Sequence, residues 1–169
     1  MLPTISLIAI LLMMLGELWL SRSNERWMLT HGASPSLDPV YGTMRWAYPI
    51  TFVAMAAEGI VMDRPIGTAA VAGVVLLVAA KALKFWAIAS LGRRWTYKVF
   101  VLHGAPLVST GPYRFVRHPN YVAVIGELVA MALLSSARVT GPLSVIGFGV
   151  LLVRRIAAEE RALGLRERA

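Results

Sequence analysis

No cysteine occurs in this chain, which removes a disulfide framework, a thiolate nucleophile and any cysteine-ligated metal site at once. Charge is also scarce. Only 15% of the residues are charged, and 9 acidic residues face 17 basic ones. Internal repeats and low-complexity tracts are missing as well. What fills the space is apolar: 57% of the 169 residues are hydrophobic, with a mean hydropathy of +0.66. A soluble domain of this size has too much surface for its volume to hide so much apolar side chain. The composition therefore points to a single integral membrane domain spanning 1–169.

Five apolar stretches are the expected membrane spans: 2–20, 46–62, 66–91, 121–137 and 139–153. The first carries no basic residue ahead of it and reads as a retained helix rather than a cleaved signal peptide. The last is short against the roughly 20 residues a bilayer requires, so it is expected to run on past Arg154. Residues 1–91 thus supply three spans. Residues 92–169 supply a long connector, a helical hairpin and a C-terminal helix. The fold class expected is all-α, with five transmembrane helices. Thirteen of the basic residues fall in just three segments: Arg22, Arg26 and Arg45 in connector 21–45; Arg93, Arg94, Lys98, Arg114 and Arg117 in connector 92–120; Arg154, Arg155, Arg161, Arg166 and Arg168 in the tail. Arg64 and Arg138 fall on the opposite side. Five spans bring the three basic segments to one face, and the excess of positive charge makes that face cytoplasmic, with the N-terminus outside. The basic bias then reports topology, and nucleic acid is not an expected partner.

Ionisable groups inside apolar spans are expensive and are candidates for function. Glu17, Lys84 and Glu127 lie within about two turns of the cytoplasmic ends of their helices, counted at 3.6 residues per turn. Glu17 and Lys84 are expected to snorkel or to pair with one another, and Glu58 to snorkel at the outer end of its span. Glu127 is open to two readings, a charge pair or a catalytic base. Connector 92–120 reads "GRRWTYKVFVLHGAPLVSTGPYRFVRHPN". Its glycines and prolines forbid one continuous helix, and 96–102 alternates loosely as an extended segment does. Pro119 suits a helix start, because its missing N–H costs nothing in a first turn. In the tail, "RRIAAEERAL" places Arg155 and Glu159 on one helical face, where the plain alternative is a solvated ion pair.

"LVSTGPYRFVRHPNY", followed by a hydrophobic hairpin and "RxxxEExxL", resembles the isoprenylcysteine carboxyl methyltransferase family, over roughly residues 91–163. Its members are integral membrane enzymes that use S-adenosylmethionine. The resemblance implies that Pro106, Leu107, Val108, Tyr113, His118, Pro119, Asn120 and Tyr121 contact that cofactor at the cytoplasmic side. It further implies that Glu159 holds the cofactor's amino acid part and that Arg155 faces the substrate as a catalytic residue, with Glu127 the second catalytic candidate. No metal is implied. The family continues into an aromatic-rich segment where this sequence reads "GLRERA". A long-chain alkyl compound with a hydroxyl or carboxyl acceptor therefore fits as well as a prenylated one, and some relatives look like methyltransferases of alkylpyrones or alkylresorcinols. Membrane lipids are the other expected partners. Two rival readings are an NADPH-dependent sterol-type membrane reductase, whose longer chains carry a similar "HPNY" element, and a non-catalytic lipid-binding membrane protein.

Overall fold

A computed structural model describes residues 1–63 and 67–164. Five helices make up the architecture: α1 (Leu2–Thr30), α2 (Tyr41–Val61), α3 (Thr68–Leu91), α4 (Pro119–Leu134) and α5 (Thr140–Ala162). Two short strands, β1 (Ser34–Pro35) and β2 (Phe100–Val101), pair antiparallel with Ser34 opposite Val101 and Pro35 opposite Phe100. Among the described helices, α1, α3 and α5 are long and apolar enough to cross a membrane. α4 is apolar but has only 16 residues, about 24 Å at 1.5 Å per residue against a hydrocarbon core of roughly 30 Å. α2 has 21 residues, and Pro49 interrupts its hydrogen-bond ladder.

Small residues set how closely the helices approach, as they do in membrane bundles where shape matters more than water exclusion. A Cβ on Gly126 of α4 would stand 3.0 Å from the Ala80 Cβ of α3, and one on Gly73 would stand 2.9 Å from the Leu134 side chain. The buried centre collects Ile10, Phe52, Met55, Leu128, Met131 and Phe148 from α1, α2, α4 and α5. Leu12, Trp19, Val75 and Ile146 are exposed on the outside of the bundle.

Three boundaries differ from the sequence expectation, each for an identifiable reason. α1 continues ten residues past position 20, so 21–30 of connector 21–45 is helix rather than loop. Its polar face is a dock for the second connector. Asn24 Nδ2 donates to the Trp95 carbonyl at 2.8 Å, Ser21 Oγ accepts from the Tyr97 N–H at 2.8 Å, and Lys98 Nζ meets Glu25 Oε2 at 3.1 Å. α2 begins at Tyr41 rather than Trp46, because Asp38 Oδ1 accepts the N–H groups of Val40 and Tyr41 at 3.3 and 3.2 Å and starts the first turn. α4 opens at Pro119, two residues before Tyr121, with the Tyr121 N–H reaching the His118 carbonyl at 3.1 Å. α5 runs past Arg154 to Ala162 as anticipated, and 100–101 is extended within the alternating stretch.

Glu58 does not snorkel. Its carboxylate accepts the backbone N–H groups of Arg138, Val139 and Thr140 at 2.8, 3.2 and 2.7 Å, together with the Thr140 hydroxyl at 2.7 Å. It caps α5 from another helix, satisfying donors that the first turn leaves free. Arg64, the expected span start at Ile66, and Arg166 and Arg168 lie outside the described residues.

Candidate active site in a charged cavity between the helices

Four ionisable side chains from three helices meet in the interior. Lys81 Nζ lies 3.0 Å from Glu17 Oε1 and 3.2 Å from Glu127 Oε2, and Lys84 Nζ lies 3.2 Å from Glu17 Oε2 and 2.8 Å from Glu127 Oε1. All four are buried. Two phenols close the ring: Tyr48 donates to Glu127 Oε2 at 2.7 Å and Tyr97 donates to Glu17 Oε2 at 3.1 Å. Of the two sequence readings of Glu17 and Lys84, pairing holds and snorkelling does not. A side chain at the depth of Lys84, only 2% exposed, has no path to the interface and must find its counter-charge inside. Burial first, and then the neighbouring Glu17 carboxylate, push the Tyr97 hydroxyl well above the ordinary tyrosine range, so Tyr97 stays a neutral donor.

One level closer to the connector, Arg155 of α5 is buried rather than solvated. Its guanidinium pairs with Asp38, donates to the Tyr97 carbonyl, and reaches the Tyr121 hydroxyl at 3.2 Å through Nε. The Tyr121 hydroxyl in turn donates to Glu159 Oε2 at 2.6 Å. Arg155 and Glu159 are therefore joined through a phenol of α4 and not as a surface ion pair. His118 stacks on Tyr121 with ring centroids 5.5 Å apart, and its Nε2 lies 3.3 Å from Glu160 Oε1. Tyr113, on the turn Gly111–Arg114, sits near enough that burial and then the Glu159 charge raise its hydroxyl above the usual range. That turn is pinned by Gly111, whose φ is +60° and whose missing side chain leaves room for Ser90 Oγ.

Between these two layers lies a cavity of about 480 Å³. Arg155, Asn120, Tyr121 and Tyr97 line its polar end, Tyr48 and Lys84 its charged wall, and Leu11, Met14, Leu15, Leu18, Phe148 and Leu152 its apolar remainder. Trp46 and Leu15, both on this lining, are also more than half exposed, so the cavity reaches the outer surface between α1 and α2. Among the described residues, no donor meets the buried Asn120 Oδ1 atom, and buried acceptors ordinarily have one. A second, more open groove of about 540 Å³ runs beside His118 and Tyr121 between α4 and α5.

The profile of the isoprenylcysteine carboxyl methyltransferase (ICMT) family matches residues 73–164, from α3 through the whole Tyr121–Arg155–Glu159 array. The chain belongs to the ICMT family. It is thereby a member of a family of membrane-bound methyltransferases. An uncharacterized protein of Bacillus subtilis (strain 168), YpbQ, is 35% identical over 163 residues, covering 93% of this chain and 94% of the relative. An uncharacterized protein of Haemophilus influenzae is 32% identical over 92 residues, 54% of each chain. No solved structure matches.

Of the site residues expected from sequence, the ICMT fold brings Tyr113, His118, Tyr121, Arg155 and Glu159 together and turns Asn120 into the cavity. Pro119 is buried as the first residue of α4. Pro106, Leu107 and Val108 line neither cavity. Pro106 and Leu107 are exposed, and the Pro106 carbonyl accepts from Arg94 at 2.7 Å. Glu127 lies behind the wall, reaching the cavity through Tyr48. Sequence reasoning did not single out Asp38, Tyr48 or Tyr97. Asp38 was legible as a helix-start signal, since aspartate favours the residues before a first turn; nothing local announced the two tyrosines.

Proposed function

We propose that this protein transfers a methyl group from S-adenosylmethionine to an oxygen of a lipophilic acceptor, at the cytoplasmic face of the membrane. One observation carries the reading. Within the segment that matches the family, a carboxylate, a phenol and a guanidinium share hydrogen bonds at the polar end of a cavity that Leu11, Met14, Leu15 and Leu18 make apolar along α1. A polar cofactor and a greasy acceptor need such a two-sided chamber.

The residues fit the cofactor. Glu159 offers an anion to a cationic amine or sulfonium, the unpartnered Asn120 Oδ1 offers an acceptor to an N–H, and the stacked His118 and Tyr121 rings offer a flat face. The family resemblance assigns Tyr113, Pro119, Pro106, Leu107 and Val108 to the cofactor as well, although they lie off the cavity lining. When bound, the cofactor supplies an electrophilic methyl whose C–S bond breaks as an O–C bond forms. The chain's own task is to hold the acceptor in line and exclude water, an alignment worth up to roughly 7–11 kcal/mol in ideal cases. Arg155, fixed on three sides, orients the acceptor's polar head.

Calorimetry on the solubilised protein tests this. S-adenosylmethionine is expected to bind and NADPH not to, and His118→Ala and Tyr121→Phe are expected to weaken the former while the protein stays folded. Unchanged affinity in both variants would leave the loop a structural element only.

Five spans with an external N-terminus complete the proposal, supported by the basic asymmetry of the connectors. A reporter fused after Ala169 is then expected to read cytoplasmic. An external reading there would overturn the orientation and the face assigned to the site.

A further inference from the structure

We infer that Asp38 is a positioning residue for Arg155: it draws the guanidinium away from Glu159 and so leaves that carboxylate to the cofactor. The role rests on the methyltransferase reading above, and it falls to a residue outside the segment that matches the family.

The spacing on α5 poses the problem. Arg155 and Glu159 lie four residues apart, where an arginine and a glutamate can pair. Here Arg155 pairs with Asp38 instead. A single phenol stands between the two α5 groups: the Tyr121 hydroxyl accepts from Arg155 Nε at 3.2 Å and donates to Glu159 Oε2 at 2.6 Å. A neutral hydroxyl does not keep opposite charges apart by itself. A second carboxylate, pulling from the other side, does.

Asp38 is placed for that task. It lies in the connector ahead of α2, between the exposed Leu37 and Pro39, yet its side chain is only 7% exposed and that of Arg155 6%. Its two oxygens do different work. Oδ1 accepts the N–H groups of Val40 and Tyr41 at 3.3 and 3.2 Å, and Oδ2 meets Arg155 Nη1. Starting a helix needs no charge, since asparagine or serine serves as well. Burying a carboxylate is unfavourable unless a cation meets it. Arg155 is therefore the partner that accounts for the inward turn of Asp38.

A guanidinium carries five N–H groups. Nε is spent on Tyr121, Nη2 gives one to the Tyr97 carbonyl and Nη1 gives one to Asp38. The Tyr41 ring covers one face, its centroid 5.9 Å from Cζ. One N–H on each Nη is left for a polar head in the cavity that Arg155 lines. Of the three polar partners only Asp38 is charged. It balances the guanidinium beside a cofactor that is itself cationic at sulfur. Without it, Arg155 would compete for Glu159 and repel the sulfonium at once.

The test is a cycle of variants of the full chain in detergent, read by calorimetry with S-adenosylmethionine. Asp38→Asn keeps an oxygen for the first turn of α2 and loses the charge. It is expected to fold, with Arg155 turned toward Glu159, and to raise the cofactor dissociation constant about three- to tenfold. Arg155→Ala is expected to leave that constant nearly unchanged. Asp38→Asn combined with Arg155→Ala is expected to bind as Arg155→Ala does, because the competitor is gone. A fold merely loosened by the loss of Asp38 would not be mended by removing a second buried side chain. Wild-type affinity in Asp38→Asn, or a double variant as weak as Asp38→Asn, would overturn the inference. If Asp38→Asn does not fold, Asp38→Ser repeats the cycle with a hydroxyl at the start of α2. A wild-type protein that binds no S-adenosylmethionine would overturn the methyltransferase reading instead. The hold on Arg155 is then read without cofactor, from its Nε–H signal in heteronuclear NMR, assigned by its loss in Arg155→Ala. That signal is expected to move in Asp38→Asn and to move again when Glu159→Gln is added. A signal that keeps its wild-type position in Asp38→Asn would show that Asp38 does not hold Arg155, and the inference would fall on its own.

Discussion

Replacing Glu17 by alanine is expected to destabilise the protein by about 3–5 kcal/mol, the typical cost of removing one partner from a buried ion pair. Glu17 meets Lys81 Nζ at 3.0 Å, Lys84 Nζ at 3.2 Å and the Tyr97 hydroxyl at 3.1 Å. Without it, two buried ammonium groups must share the single Glu127 carboxylate, and the Tyr97 donor loses its acceptor. The loss should appear first as a lower thermal unfolding midpoint in detergent. Faster proteolysis within residues 95–101 should accompany it, since Tyr97 helps fasten that segment to α1. Glu17→Met combined with Lys81→Met is expected to recover part of the loss, because it removes one charge of each sign from a close-packed set. If the single variant melts within a degree or two of the wild type, the four-residue cluster is not the lock between α1, α3 and α4 that its distances imply.

Glu159→Ala and Arg155→Ala are expected to fail differently. Glu159 accepts from Tyr121 at 2.6 Å and also stands beside the His118 ring, with Oε2 3.9 Å from His118 Nδ1. Losing a charged hydrogen bond worth about 1.5–3 kcal/mol should raise the S-adenosylmethionine dissociation constant about ten- to a hundredfold. Arg155 lines the cavity itself and ties together Asp38, Tyr97 and Tyr121. Its removal should slow methyl transfer or raise the acceptor's Michaelis constant, on the order of 100-fold, with cofactor affinity nearly intact. Arg155→Lys is expected to rescue little, since one ammonium cannot replace a planar fork that reaches three partners. Equal loss of cofactor binding in both alanine variants would contradict this division of roles. Near-normal turnover in both would mean an ordinary ion pair worth about 0–1 kcal/mol.

Much of this protein was legible in the order of its residues. The apolar runs located all five helices, because helix formation in such stretches is a local matter of hydropathy and length. Pro119 marked the start of α4, and the spacing of Arg155 and Glu159 placed both on one side of α5. The motif from Gly111 to Tyr121 ends at the His118–Tyr121 stack, with Tyr121 on the cavity lining. The errors fell where a residue's role depends on a distant partner. Glu58 looked like an exposed acid and is a cap for a helix 80 residues away. Residues 21–30 looked like loop and are helix, because their polar face binds the backbone of the second connector.

The sequence by itself determined the class of the molecule, the positions of its helices, the family-bearing motif and the set of charges that had to be reconciled inside it. Only the tertiary structure decided which charge meets which. Glu17 finds lysines 64 and 67 residues away, Glu127 accepts a hydrogen bond from a tyrosine 79 residues away, and Asp38 crosses the fold to Arg155. Such pairings depend on the rotation and height of one helix against another. Those are set by the packing of small residues such as Gly73 and Gly126 at the α3–α4 contact and carry no local signature.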